Sequence, residues 1–339
     1  MSETIIVNLN SKSYAVEIKA EAILNLYKYT DVSRHAFIVT DSNVEKLYLQ
    51  TVKEQFVSSD SFTIKPGENS KSFNYLEKIL AKMQTLKLNR NIIVIGLGGG
   101  VVGDLAGLVA ALYLRGVDYL AIPTTTLAQI DSSVGGKVAI NLNGVKNVVG
   151  SFYQPTKVII DPNVILTLSN KEYNSGLVEA VKMGLLFDPT LFEIFLQENI
   201  KSHIIEIIKR SIINKSELVS LDEIDLKERK LLNFGHTLGH ALETKYGFSH
   251  GQSVMLGMIY TVDNLDIKQK LIEIAQKFDL YYQLELTEDL YDLMILDKKM
   301  HDNYIELVQV DEIGKGYLKK YPKEYLWEIL NGKWDWKNI

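Results

Sequence analysis

Residues 92–104 read Ile92-Ile-Val-Ile-Gly96-Leu-Gly98-Gly99-Gly100-Val-Val-Gly103-Asp104, an apolar β-branched run that empties into a glycine cluster and then into the helix-like stretch 105–113. A strand that turns at once into a helix needs residues without a Cβ at the turn, and such a unit belongs in a parallel sheet with helices packed on it. Gly98, Gly100 and Gly103 fit G-x-G-x-x-G, where bare backbone lets N–H groups approach a pyrophosphate at a helix N-terminus. Turns of this composition also serve helix-on-strand packing alone. The acid expected about twenty residues on would be Asp118, which stands awkwardly before a strand. Asp41, at the end of Phe37-Ile-Val-Thr40, is better placed if the first strands neighbour the glycine turn. The pattern is therefore not that of an ordinary Rossmann unit.

The same texture runs through the first half. Thr4 to Leu9, Ala36 to Thr40, Ser61 to Lys65, Asn91 to Gly96, Tyr119 to Ile122 and Lys157 to Ile160 read as strands, with an amphipathic helix over Tyr75 to Leu86 between two of them. Past residue 165 the apolar spacing becomes helical, as over Ile200 to Val219 and Leu226 to Lys245. A chain of 339 residues suits about two domains. The expectation is an α/β nucleotide-binding domain with a mostly parallel sheet over 1–165, followed by an all-α domain over 166–339 that holds metal and substrate.

Charge and cysteine content exclude whole classes of function. A net charge of −5 without any Lys/Arg-rich run leaves no footprint for a phosphate backbone, so nucleic acid is not an expected partner. With no cysteine, disulfides, thiolate nucleophiles and iron–sulfur clusters are impossible, and any metal must be held by histidine and carboxylate. The N-terminus reads as a strand and lacks the features of a signal peptide. The longest apolar stretch, 101–117, carries Asp104, Arg115 and several glycines, so no membrane partner is expected and the protein is placed in the cytoplasm.

Three of the six histidines fall within fifteen residues, in Asn233-Phe-Gly-His236-Thr-Leu-Gly-His240 and His250. His236 and His240 share a face if the segment is helical, and the turn Tyr246-Gly-Phe-Ser249 could bring His250 back to the same point. Imidazoles so gathered suit a divalent metal; they would equally line a polar seam. Glu179 and Lys182, three apart in Ser175-Gly-Leu-Val-Glu179-Ala-Val-Lys182, read either as a metal carboxylate with a neighbouring cation or as a surface ion pair. Residues 122–137, with Thr124, Thr125, Thr126, Asp131, two serines, Gly135-Gly136 and Lys137, are either a ligand loop or a solvated turn, and Lys146-Asn147 follows.

Together these motifs resemble the 3-dehydroquinate synthase family. Gly98-Gly99-Gly100-x-x-Gly103-Asp104, Pro123-Thr-Thr, Asp131-Ser-Ser-Val-Gly-Gly-Lys137, Lys146-Asn147, Gly176-x-x-Glu179-x-x-Lys182 and Asn233-Phe-Gly-His-Thr-x-Gly-His240 stand in its order and spacing, from about Asp41 to Lys299. The resemblance implies one divalent metal, zinc or cobalt, on Glu179, His236 and His250, which moves His240 to the substrate site. It implies NAD contacts at Asp41, Asn43, Glu68, Lys71, Gly98, Gly99, Gly100, Asp104, Thr124, Thr125, Lys137, Lys146, Asn147 and Thr167. Substrate groups would be Asp131, Lys137, Asn147, Lys182, Lys215, Arg229, Asn233, His240 and Lys298 or Lys299, together with the metal histidines. Arg115 matches an arginine supplied across a subunit interface, so a homodimer is implied. The chain departs from the family at Thr126, where leucine is common, at Val145, where glycine is, and at Val178, where alanine is.

The activity implied is conversion of a phosphorylated keto acid, 3-deoxy-D-arabino-heptulosonate 7-phosphate, to 3-dehydroquinate and phosphate in the shikimate route to aromatic amino acids. It would proceed by transient oxidation with NAD, loss of phosphate, re-reduction and aldol closure. The polar inventory suits a substrate bearing both carboxylate and phosphate. A related sugar phosphate cyclase, or a metal-dependent polyol dehydrogenase on the same scaffold, is the alternative.

Overall fold

The computed structural model describes residues 3–10, 12–225, 228–284, 287–296 and 304–330, and the chain divides into two compact units. The first takes in Met1–Leu168 and Ile204–Ile224. Its sheet has seven strands: β1 (Glu3–Val7), β2 (Tyr14–Ile18), β3 (His35–Asp41), β4 (Ser58–Ile64), β5 (Ile93–Gly98), β6 (Asp118–Pro123) and, beyond a hairpin, β9 (Lys157–Ile160). They lie in the order β1-β2-β9-β6-β5-β3-β4, antiparallel only between β1 and β2. All six predicted strands are present. β5 and β6 are buried along nearly their whole length, as parallel strands covered on both faces must be.

The helix Phe73–Thr85 buries Leu76, Ile79 and Met83 on one stripe, each of which stabilises by up to about 1.5–3 kcal/mol relative to exposure. Ser72 caps it by accepting from Tyr75 N–H. The glycine turn delivers the chain from β5 into the helix Gly100–Leu112. Because β3 pairs with β5, Asp41 ends the strand beside that turn, the neighbourhood on which its preference over Asp118 depended.

Three features were not anticipated. The polar stretch after Asp131 is a hairpin, β7 (Lys137–Leu142) paired with β8 (Val145–Phe152), whose second strand is exposed almost throughout. β2 went unread between short polar segments. The helix Ile204–Leu221 belongs to the sheet-bearing unit, where Lys215 Nζ lies 2.7 Å from Asp131 Oδ1.

The second unit, Ser169–His203 and Asp225–Ile339, is built mainly of helices: Asn170–Phe187, Pro189–Leu196, His236–Tyr246, His250–Thr261, Leu265–Lys277, Glu288–Leu296 and Lys323–Leu330. A hairpin, Tyr304–Val310 with Gly316–Pro322, joins them. The helix expected over Leu226 to Lys245 is two pieces, a 3-10 segment Glu228–Asn233 and a helix from His236, divided where Gly235 takes a positive φ of 75°. Among the described residues no helix is long and apolar enough to cross a membrane.

Candidate metal centre and nucleotide cleft

Helix packing in the second unit gathers a carboxylate and two imidazoles that could hold a metal ion. Glu179 lies in the middle of Asn170–Phe187 with 1% of its surface exposed. His236 opens one helix and His250 opens the next, whose N-cap is Ser249. These helices approach closely because glycine occupies the contacts. A Cβ on Gly251 would stand 1.9 Å from the Ser175 carbonyl oxygen, and one on Gly257 1.9 Å from that of Gly235. The result is one potential ligand atom from each of Glu179, His236 and His250, all within 4.8 Å of one another.

Glu179 Oε1 lies 3.3 Å from His250 Nε2 and 3.8 Å from His236 Nε2. Ligand atoms around a tetrahedral ion at about 2.1 Å stand roughly 3.4 Å apart, so small side-chain shifts would admit one. His236 Nδ1 is 3.1 Å from the Phe234 carbonyl, which can accept only an N–H, and this leaves Nε2 as the lone-pair nitrogen towards Glu179. On the far side of His250, Nδ1 meets Glu243 Oε1 at 2.8 Å. Glu243 escapes a motif reading, although its i+7 spacing from His236 sets it on the same helix face.

Charge is distributed unevenly across this cluster. Burial and the nearby Lys182 ammonium hold His236 well below the usual imidazole range, against the pull of Glu179, so it is neutral. Burial also opposes charge on His250, but hydrogen bonds to Glu179 and Glu243 prevail and push it up to about 9. Burial would raise the Glu179 carboxyl; Lys182 and the two imidazoles outweigh it and hold the group well below its ordinary range. Lys182, 2% exposed, touches Glu179 Oε2 and donates to the Leu232 carbonyl at 2.6 Å. Of the two readings of the Glu179–Lys182 spacing, the ion pair is present, though buried and not on the surface, and the same carboxylate belongs to the cluster that could hold a metal.

Around this centre, His240 stands edge-on to His236 with ring centroids 5.4 Å apart. Arg229 is buried on the 3-10 segment that ends at the exposed Asn233. Lys298 and Lys299 lie outside the described residues.

In the first unit, Gly99 is the N-cap of Gly100–Leu112, so the first N–H groups of that helix face an opening lined by Gly98, Gly99, Gly100, Asp104, Ser132 and Lys137 among others. Side chains crowd the turn from behind. A Cβ on Gly98 would meet Val102 at 2.6 Å, and one on Gly99 would meet Thr125 at 2.8 Å. Thr124 N–H donates to the Gly98 carbonyl at 3.0 Å, tying Pro123-Thr-Thr to the glycines. Asp41 already caps its own turn, accepting from Asn43 N–H at 2.8 Å and Val44 N–H at 3.2 Å.

A second polar group forms beside Asp104. Lys71 Nζ is 2.6 Å from Asp104 Oδ2 and 3.7 Å from Glu68 Oε1, and it donates to Asn147 Oδ1. Burial lifts the Asp104 carboxyl above the usual range against the attraction of Lys71. Lys215 Nζ pairs with Asp131 by both the side chain and, at 2.5 Å, the backbone carbonyl. Lys137 and Lys146 are exposed on the hairpin, and Arg115 ends a short 3-10 turn with φ 65°. Thr167 lies in the turn Val164–Thr167, bonded to Tyr48 and to the Val164 carbonyl.

Comparison with known proteins gives two family matches that abut: 3-dehydroquinate synthase N-terminal over residues 61–175 and 3-dehydroquinate synthase C-terminal over 176–300. A 3-dehydroquinate synthase of Clostridium beijerinckii is 39% identical, over 95% of this chain and 99% of its own. One of Clostridium kluyveri is 38% identical, over 91% and 92%. Among solved structures, a 2-deoxy-scyllo-inosose synthase complexed with carbaglucose-6-phosphate, NAD+ and Co2+ superposes with a TM-score of 0.87 at 21% identity, covering 97% of this chain and 99% of that one. A 2-epi-5-epi-valiolone synthase from Streptomyces hygroscopicus, with NAD+ and Zn2+ bound, gives 0.85 at 22% identity, covering 96% and 97%.

Proposed function

The chain belongs to the 3-dehydroquinate synthase family, and from that premise we propose that it converts 3-deoxy-D-arabino-heptulosonate 7-phosphate to 3-dehydroquinate and inorganic phosphate, using NAD and one divalent metal. The observation that carries the metal assignment is the convergence of Glu179, His236 and His250 beside a buried Lys182. One carboxylate and two imidazoles, with no thiolate in the chain, suit zinc or cobalt. The nucleotide assignment rests on helix N–H groups and glycines that leave no room for side chains. When bound, NAD takes and later returns a hydride, and the metal lends Lewis acidity to the alcohol being oxidised.

The remaining work falls to the chain's own groups. Glu179, His236 and His250 would hold the metal, the carboxylate buried and the two imidazoles partly exposed. In the first unit, the exposed Lys137 and Lys146 and the Asn147 amide are the donors offered to the phosphate that leaves; in the second, Lys182 is assigned to the substrate. His240, whose ring lies against that of His236, is assigned to the substrate, where it would move a proton. Arg229 offers a planar fork to the carboxylate, with Lys298 or Lys299 as its companion. Asp131 and Lys215 hold each other and would turn to substrate hydroxyls; in the second unit, Asn233 is assigned to the substrate as well. Asp41, Asn43, Glu68, Lys71, Asp104, Thr124, Thr125 and Thr167 are assigned to the nucleotide. Holding the open-chain species that precedes the aldol step folded upon itself would supply the advantage of an intramolecular closure.

A homodimer is part of this reading. β8 exposes Val145, Val148 and Phe152 at 57%, 55% and 45%, and Leu112 and Leu114, just before Arg115 in the chain, are exposed at 51% and 41%. Exposed apolar side chains of this kind suit burial against a second copy of the chain. The cytoplasm remains the expected compartment for a chain without cysteine.

The test is phosphate release from 3-deoxy-D-arabino-heptulosonate 7-phosphate with NAD and zinc, before and after EDTA, with absorbance followed for net NADH. Metal-dependent release without accumulating NADH, and with 3-dehydroquinate as product, is expected. A folded, loaded protein that releases no phosphate would overturn the assignment and direct attention to sugar phosphates lacking the carboxylate.

A further inference from the structure

Asn141 is not among the site residues named above, yet it touches three of them, Glu68, Lys71 and Asn147. Its Nδ2 donates to Glu68 Oε1 at 2.8 Å, and its Oδ1 accepts from the Asn147 backbone N–H at 2.9 Å. Its own N–H donates to the Lys71 carbonyl at 2.9 Å. Glu68 and Asn147 converge on the Lys71 ammonium, which also pairs with Asp104 at 2.6 Å. We propose that Asn141 is a positioning residue for nucleotide binding, one planar amide that holds the Glu68 carboxylate and the Asn147 turn in register around Lys71. The proposal rests on the NAD reading above.

Each held group needs holding. Glu68 sits on the single turn Glu68–Ser70 after Gly67, and its side chain is 40% exposed, so without a partner it would sample several rotamers. Asn147 takes a left-handed φ of 55° within an exposed strand, a conformation that costs a non-glycine residue energy unless its surroundings secure it. Groups fixed before the ligand arrives do not lose freedom when it binds, and affinity gains accordingly. Only an amide does both jobs from one side chain: the N–H end must face the carboxylate and the carbonyl end must face the backbone N–H. Aspartate keeps the second contact and turns the first into a repulsion.

The experiment is titration calorimetry of NAD into the full-length, zinc-loaded protein, with melting temperatures recorded in parallel, for Asn141→Asp, Glu68→Gln and the double variant. Asn141→Asp should weaken NAD binding about tenfold or more, the scale of a hydrogen bond to a charged group. Glu68→Gln has its own cost. In the double variant the amide introduced at position 68 can donate to the carboxylate introduced at position 141, reversing the polarity of the bond at unchanged net charge. Its affinity should therefore exceed the product of the two single losses by about threefold or more. Asn141→Ser, which keeps the backbone pairing and shortens both arms, should shift in the same direction and serves if the aspartate variant does not fold. Unchanged NAD affinity in the single variants, even with a lowered melting temperature, would overturn the proposal, as would strict multiplicativity in the double. Failure of the wild-type chain to bind NAD at all would overturn the nucleotide reading and this inference with it.

Discussion

Replacing Glu179 by glutamine removes a charge without changing the volume, and the structure sets the cost. Lys182 is 2% exposed, and its ammonium meets the Glu179 carboxylate and the neutral Leu232 carbonyl. After Glu179→Gln, the ammonium is left buried beside dipoles alone. Breaking a buried pair from one side costs about 3–5 kcal/mol, whereas replacing both partners by apolar groups is often neutral. The unit that holds the pair spans Ser169–His203 and Asp225–Ile339, and in a unit of this size each kcal/mol moves the melting temperature by about 2–4 °C. The metal-free Glu179→Gln protein should therefore melt roughly 6–20 °C below wild type. Adding Lys182→Met should recover most of that loss. Neither variant should retain zinc, because the anionic ligand is gone. Scanning calorimetry of EDTA-treated protein reads the stability, and elemental analysis after dialysis against zinc reads the metal. A loss below about 1 kcal/mol in the single variant, or a double variant no more stable than the single, would refute the reasoning that the carboxylate compensates a buried charge.

Four further outcomes are expected. Gly251→Ala places a methyl against the Ser175 backbone, so the helix bearing His250 must retreat from the helix bearing Glu179; zinc affinity by chelator competition should fall and stability should drop by about 1–3 kcal/mol. The Asp263 carboxyl would be raised by burial, but Lys319 at 2.8 Å, Tyr321, and Tyr325 at 2.5 Å hydrogen-bond to it and hold it below the ordinary range. Its stabilisation is thus present above the unfolded carboxyl pKa and is lost as pH falls through the lower folded value; Asp263→Asn should flatten the acid limb of a stability–pH curve, and an unchanged limb would contradict this. Val148→Asp, charging an exposed strand residue, should convert a dimer to monomers by sedimentation, while Arg115→Ala should lower turnover and leave NAD binding intact; a fully active wild-type monomer would remove the cross-subunit role.

Much of the fold was legible because it is written in short periods. The β-branched runs that form β3, β5, β6 and β9 needed only alternation with helical patterns to announce a parallel sheet, and the glycine turn after β5 marked where the sheet would face a ligand. Legibility failed where local chemistry imitates a loop. Residues 131–147 mix glycines, hydroxyls and lysines, and nothing in that mixture distinguishes a ligand loop from the turn and hairpin that it forms. The Leu226 to Lys245 pattern continued through Gly235 because apolar spacing is blind to a single positive φ, and that break is what makes His236 the first residue of its helix.

The sequence by itself determined the class of the fold, the chemical identity of any metal ligand and, through its motifs, the family. Those properties are carried by residue type and near spacing, which pattern preserves. Tertiary structure decided the distances: His250, 71 residues from Glu179, has its Nε2 at 3.3 Å from that carboxylate and His236 its Nε2 at 3.8 Å, because glycine contacts let three helices approach at one point. It also decided that the Glu179–Lys182 pair is buried and that one imidazole is neutral while the other is pushed up to about 9. Burial and charge proximity are properties of the packed interior, and they have no representation in the order of residues along the chain.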